Sequence, residues 1–296
     1  MSRAIGKTVV QRVAILTLYN LSAYESSHVK MIADDITKSL VPLCNSTDAE
    51  SRQYAVMLLA NLAASDDTRK DATRRGGLQA AVTLLKDDNV ECNRYACICL
   101  ANMGNSVNTQ QQIIIHGGLP ALLNHARSED LHLKRYALMC LVNICALESN
   151  HSYLLRQGAF EVFRKGFICS EADISESCGF AIANFCSNDE ILNKIGEGGG
   201  IEPLFALANS ANAHTQCLGL SALKKLSTKQ ENRVRLLKAG ITSILCRVTC
   251  LESFEIQREV SACFCYISMN DLYHVSIARN CATVLKTLSQ SKDVET

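Results

Sequence analysis

A short pattern returns along the chain at a fixed interval. It reads LYNLS around Asn20, LANLA around Asn61, LANMG around Asn102, LVNIC around Asn143 and IANFC around Asn184, each asparagine 41 residues after the last. Two more steps land on Lys225 in LKKLS and Tyr266 in CYISM, where the apolar frame persists without the asparagine. Other columns keep the same phase: Gly76, Gly117, Gly158, Gly199 and Gly240; Tyr54, Tyr95 and Tyr136, with Val13 in register before them. Ala14, Ala55, Ala96 and Ala137 continue as Cys178, Gly219 and Val260. Self-similarity at such a period marks an array of small units, none of which can bury its apolar faces without its neighbours.

Within a unit the periodicity is helical. Ala137, Cys140, Leu141 and Ile144 recur at three- and four-residue spacing and form one apolar stripe. Before them, Gly118-Leu-Pro-Ala-Leu-Leu reads as a second helix, with Pro120 in its first turn, where a missing N–H costs nothing. Earlier still, Gln110-Gln-Gln-Ile-Ile-Ile-His ends at Gly117, a residue able to take positive φ and stop a helix. Each unit is thus a short helix, a glycine corner, a helix, a polar turn and a longer helix carrying the asparagine. The expectation is an all-α chain, a single array over 1–296 with units near 1–25, 26–66, 67–107, 108–148, 149–189, 190–230, 231–271 and 272–296. The first unit supplies only its third helix and the last stops after its second. Uncapped ends of that kind, with Val9, Val10, Ile15 and Leu16 near one of them, predict a longer solenoid or self-association.

Three helices in about 41 residues, the run GGLPALL from Gly117 to Leu123 and the A-x-x-x-L-x-N cores resemble the armadillo repeat over essentially the whole chain. HEAT repeats have two helices and lack the asparagine. The resemblance implies a right-handed superhelical solenoid of about seven three-helix repeats, the first and last incomplete, with the third helices lining a concave groove. Among armadillo proteins the text is most similar to the vacuolar protein 8 type, on phrases such as EVSACFCYISMND from Glu259 to Asp271. That type implies a cytoplasmic, non-catalytic adaptor peripheral to the vacuole or another organelle. The chain opens Met1-Ser2-Arg3, without the glycine that N-terminal acylation requires, so membrane association is expected through partners. Importin α would carry a tryptophan four residues before each groove asparagine; here Leu16, Met57, Ile98, Met139 and Phe180 stand there, and the chain has no tryptophan.

Residues four apart share a helix face, so the expected groove reads Gln53–Met57–Asn61, Arg94–Ile98–Asn102, Arg135–Met139–Asn143 and Glu176–Phe180–Asn184. The candidate peptide-binding residues are Asn20, Asn61, Asn102, Asn143 and Asn184, with Arg94, Arg135, Met57, Met139 and Phe180 beside them. A carboxamide offers donors and acceptors to the backbone of an extended peptide, and Arg94 and Arg135 would favour acidic side chains. The competing use of each asparagine is to cap or bridge backbone within its own array.

The remaining features point away from chemistry. Lys plus Arg (30) nearly cancel Asp plus Glu (29), which argues against a nucleic-acid binder. The 15 cysteines sit in apolar runs with no Cys-x-x-Cys pair, so they read as small buried hydrophobes in a reducing compartment rather than disulfides or zinc ligands. Cys99 and Cys140, in one column with Ala181 and Ala222, are expected to be sealed. The seven histidines share no ligand spacing, and Gly196-Glu-Gly-Gly-Gly reads as a turn rather than a phosphate cradle. The basic run at Arg69, Lys70, Arg74 and Arg75 reads as a solvated first-helix face. No enzyme, metal or cofactor is expected. The partners are other proteins, through extended segments; the alternative is a cytoskeletal or axonemal component that self-associates through its ends.

Overall fold

The computed structural model describes residues 2–248 and 253–291, and no strand occurs among them. Met1, 249–252 and 292–296, the last of which close the expected final unit, lie outside the described residues. Packing divides the chain into two compact units, up to Leu147 and from Glu148. The boundary falls between two repeats.

The first unit opens on α1 (Ser2–Ser22), a third helix by register, and continues with three complete triplets. These are α2 (His28–Ala33), α3 (Ile36–Leu43) and α4 (Ala49–Ala64); α5 (Asp66–Arg74), α6 (Gly77–Leu84) and α7 (Val90–Met103); α8 (Val107–Ile115), α9 (Leu119–His125) and α10 (Leu131–Cys145). The third helices stack in chain order, α1 on α4, α4 on α7 and α7 on α10. Their apolar stripes form the core: Ala55, Leu59, Ala96, Leu100, Ala137 and Leu141 are fully buried. The sealed column is as expected, with Cys99, Cys140 and Ala181 without exposed surface and Ala222 nearly so.

The second unit repeats the plan. Its helices are α11 (His151–Arg156), α12 (Ala159–Phe167), α13 (Ala172–Phe185), α14 (Leu192–Glu197), α15 (Ile201–Ala208), α16 (Ala213–Ser227), α17 (Gln230–Ala239), α18 (Ile241–Val248), α19 (Phe254–Ile267) and α20 (His274–Leu288). Third helices α13, α16 and α19 stack here. Phe185 collects His151, Phe160 and Phe163 around its ring at 5.0–6.2 Å between centroids.

The glycine column makes the corners. Gly76, Gly117, Gly158, Gly199 and Gly240 all have φ between 74° and 91°, the left-handed region where a side chain costs about 1–2 kcal/mol. One repeat earlier the same position is Asp35, with φ 56°, an aspartate being among the few residues that tolerate it. One repeat later it is Cys281, and there the corner vanishes. Instead of a first and a second helix, α20 runs unbroken through 15 residues. A second departure concerns Gly196, which is helical rather than part of the turn. The Asn232 side chain, donating from Nδ2 to the Leu192 carbonyl at 3.0 Å, fills the space a Cβ at Gly196 would need.

Candidate functional site

The third helices begin on a column of capping residues, again one repeat apart. Asp48 accepts from the Ser51 amide, Asn89 from Glu91, Asp130 from His132 and Leu133, Asn212 from Thr215 and Ser253 from Ile256. Such a side chain satisfies amides that the first helical turn leaves without intrahelical partners. In the first unit the caps also reach the preceding third helix. Arg12 of α1 donates from Nε to Asp48 Oδ2 at 2.7 Å, and Arg94 of α7 from Nη2 to Asp130 Oδ2 at 2.6 Å. Between them the same step is neutral: Asn89 donates from Nδ2 to Gln53 Oε1 at 3.0 Å. A parallel link joins Arg52 Nε to Asp87 Oδ2 at 2.6 Å. The N-terminal ends of these helices are thus laced, each to the next.

This lacing changes the expected role of Arg94. Its guanidinium is held by Glu91 at 2.5 Å as well as by Asp130, so α7 does not present an uncommitted cation to a ligand. The side chains of Arg12 and Arg94 hold the carboxylates of Asp48 and Asp130 below their ordinary value, chiefly through these hydrogen bonds. Arg135 occupies the matching place on α10, half-buried. The three arginines of the basic run on and beside α5 are paired likewise. Arg69 pairs with Asp66, Arg74 with Asp71, and Arg75 with both Asp71 and Asp35.

Four to eight residues further along lies the expected stripe, and it does face outward. Met57, Ile98 and Phe180 are half-buried and Met139 is exposed, while the residues flanking them toward the core are sealed. Asn20 is exposed on α1; Asn61, Asn102, Asn143 and Asn184 are half-buried. Three of the carboxamides have a structural task. Asn143 donates from Nδ2 to the Ala101 carbonyl at 2.9 Å, Asn102 to the Ala60 carbonyl at 3.4 Å, and Asn61 to Ser22 Oγ at 2.9 Å. Each amide group therefore grips the end of the preceding third helix, through a carbonyl at Ala101 and Ala60 and through a hydroxyl at Ser22. The carboxamide oxygens of these three accept no hydrogen bond from a described residue. A cavity of about 310 Å³ opens beside Asn61, lined by Ser22, Glu25, His28 and Ser65 among others.

A further column was not read from the sequence. His28 bonds through Nε2 with the Ser22 carbonyl at 2.8 Å, Gln110 donates from Nε2 to the Gly104 carbonyl at 3.0 Å, and Arg233 from Nε to the Ser227 carbonyl at 2.9 Å. His274 does the same to Ser268 at 2.5 Å. Each sits in the first turns of the helix that follows a third helix and reaches back six residues to that third helix's end. The shared signal was position, not residue type, since histidine, glutamine and arginine all supply the donor. His28, His151 and His274 do fall in one phase of the repeat, as parts of the scaffold rather than as ligands.

Likenesses to known proteins agree with this geometry. Residues 106–146 match the Armadillo/beta-catenin-like repeat. An engineered protein aligns over 94% of this chain and 70% of its own at 24% identity, with a TM-score of 0.80. A designed armadillo repeat protein in complex with the peptide (KR)4 aligns over 78% of this chain and 98% of its own, at 23% identity and TM-score 0.67. One of a set of armadillo repeat proteins computationally designed for modular peptide recognition covers 77% of this chain and 98% of itself, at 23% identity and TM-score 0.69. No curated protein matches the chain in sequence. The fold is an all-helical armadillo solenoid. No helix among the described residues is long and apolar enough to cross a membrane.

Proposed function

We propose that the chain is a non-catalytic scaffold that binds extended peptide segments of partner proteins along the outward face of its third helices. The observation that carries this reading is the row of asparagines: Asn61, Asn102 and Asn143 are each oriented by a bond to the preceding third helix, with the carboxamide oxygen left over. An acceptor row of fixed orientation suits the N–H groups of a peptide backbone, whose recognition is then largely independent of side chains. Designed armadillo proteins that bind peptides support it. Side-chain preference would come from Met57, Ile98, Met139 and Phe180, an apolar stripe that favours neutral, apolar ligand residues over the acidic ones that an uncommitted Arg94 would have drawn. Asn20 on α1 would extend the row, Arg135 on α10 would stand beside it, and Asn184 on α13 would offer the same group in the second unit. The vacuolar, peripheral-membrane role rests on the resemblance to the vacuolar protein 8 type.

The test is selection of extended peptides from a displayed library on the full chain, followed by titration. Asn102→Ala with Asn143→Ala should weaken the selected peptides by at least about tenfold, roughly 1.4 kcal/mol, with the helical content kept. Because each asparagine also supports the stack, Met139→Glu serves as a second variant that leaves those bonds intact. Unchanged affinity in both variants rules the groove reading out.

A second reading is self-association, favoured by Val9, Val10 and Val13, which leave half or more of their surface exposed on α1. Ile15, expected to share that exposure, is instead buried at 3%. A concentration series in light scattering separates the readings: growth of molar mass that Val10→Lys abolishes supports association through α1.

A further inference from the structure

Two cysteines of the second unit meet across helices. Cys246 Sγ on α18 lies 3.6 Å from Cys281 Sγ on α20, and 3.9 Å from the carbonyl of Asn280. Both are thiols. It is the one contact between cysteine sulfurs found among the described residues. The two thiols differ in access: Cys281 is buried at 1%, whereas Cys246 is half-exposed and reachable from water. The other cysteine-rich parts of the chain lack that combination. Cys97, Cys99, Cys140 and Cys145 are fully sealed, and Cys265 is exposed on the far end of α19 with no cysteine beside it.

We propose that Cys246 and Cys281 form a redox site, in which a hydroperoxide converts the dithiol into a disulfide tying α20 to α18. Bond formation requires the two side chains to close this contact from 3.6 Å to a bond of about 2.05 Å. In the first step the Cys246 sulfur attacks the peroxide, its S–O bond forming as the O–O bond breaks, and the thiol proton leaves in water. The product is a sulfenic acid. In the second, the Cys281 sulfur attacks the Cys246 sulfur, the S–S bond forms, the S–O bond breaks, and hydroxide departs with the second thiol proton as water. Two thiols and one hydrogen peroxide give one disulfide and two waters. Burial pushes the Cys281 thiol up to about 12, so it is a poor target for the oxidant itself and acts by its position beside the oxidised partner.

The place of the pair in the fold gives the bond a consequence. Cys281 stands in the glycine column, where the corner has been replaced by continuous helix, and α20 packs on α18 and α19. The bond would enclose α19 in a covalent loop and oppose the local opening of α20. Beside it, α19 and α20 line an apolar cavity of about 320 Å³ that includes Phe264, Ile277, Leu285 and Leu288. Oxidation therefore ties the α20 wall of that cavity to α18.

The experiment uses the full chain, reduced, exposed to hydrogen peroxide and digested with trypsin without reductant. Cleavage after Lys238, Arg247, Arg279 and Lys286 leaves each cysteine on its own peptide, Ala239–Arg247 and Asn280–Lys286. The expected result is these two peptides joined, as the main disulfide, with amides of α20 exchanging at least about tenfold more slowly until dithiothreitol restores the reduced rate. In Cys281→Ser the link is lost and Cys246 is trapped by dimedone as its sulfenic acid. Should that variant fail to fold, Cys246→Ser decides: Cys281 must then stay reduced under the same peroxide. Oxidation of Cys246 to sulfinic acid with Cys281 still a thiol, a main disulfide between any other pair, or oxidation of Cys281 in Cys246→Ser overturns the proposal.

Discussion

Arg94 on α7 binds Asp130, the residue that caps α10, through a 2.6 Å contact between Nη2 and Oδ2. One carboxylate thus completes the start of its own helix and fastens that start to the helix before it. Repeated at Arg12 and Asp48, and in neutral form at Gln53 and Asn89, this relation sets the spacing of the third helices and hence of the asparagines they carry.

The two tasks of Asp130 can be separated. Asp130→Asn keeps an acceptor for the amides of His132 and Leu133 but removes the charge, and should cost under about 1 kcal/mol, since the pair is partly solvated. Asp130→Ala removes the cap as well and should cost about 1–2 kcal/mol. Urea unfolding of both variants measures the difference. Equal losses would mean that the cap contributes nothing.

Acid should weaken the first unit. The Asp48 and Asp130 carboxylates sit below their ordinary value because Arg12 and Arg94 bond their charged forms. A depressed carboxylate contributes stability that is complete above its unfolded value, about 3.9, and is lost as pH falls from there toward the folded value. Unfolding midpoints should be flat from pH 7 down to about 5 and drop below about 4. With Asp48→Asn the drop should be shallower; an unchanged profile in that variant refutes the assignment.

Thiol chemistry should follow burial. Cys99 and Cys140 have no exposed surface, and burial pushes Cys140 up to about 12. Neither should react with a maleimide in the native chain, and both should react after denaturation. Cys265, exposed on α19, serves as the internal control and should label at once. Fast native labelling of Cys140 contradicts the packing of α7 against α10.

Glycine replacements should fall into two groups. Gly117→Ala adds a methyl group with nothing within 4 Å of it, so its cost is that of the left-handed backbone, about 1–2 kcal/mol. Gly219 is in α16, and its added Cβ would lie 2.5 Å from the backbone nitrogen of Ala208. Backbone cannot yield as a flexible side chain can, so Gly219→Ala should cost more than Gly117→Ala, by at least about 2 kcal/mol. Thermal melts of the two variants, compared with the parent, rank them.

The repeat was legible because stacking imposes it. Every unit must bury the same stripe and turn the same corner, so Ala96, Leu100 and Gly117 recur in phase. That phase, with the helical spacing inside each unit, gave an all-α array, while the armadillo solenoid came from the resemblance. Positive φ at the corner needs a residue without a Cβ, which is why the glycine column could be found by eye. Where that column ends at Cys281, composition still said repeat while the backbone had no means of turning, and only the structure showed one continuous α20.

What each polar side chain does was decided in three dimensions. Arg94 and Asn143 stood on the expected face by helical spacing, but nothing local says that one is spent on Asp130 and the other grips the Ala101 carbonyl. Those partners lie about one repeat away, and a hydrogen bond of that reach is made by the packing of neighbouring helices. The column of His28, Gln110, Arg233 and His274 escaped for a different reason: its contacts span only six residues, but geometry asks only for a donor, and three residue types provide it. The sequence by itself determined the period, the corners and the buried stripe, because those obey the backbone's own sterics and the need to exclude water. Tertiary structure decided which charges are neutralised and that Cys246 meets Cys281, because such contacts depend on where separate helices come to rest.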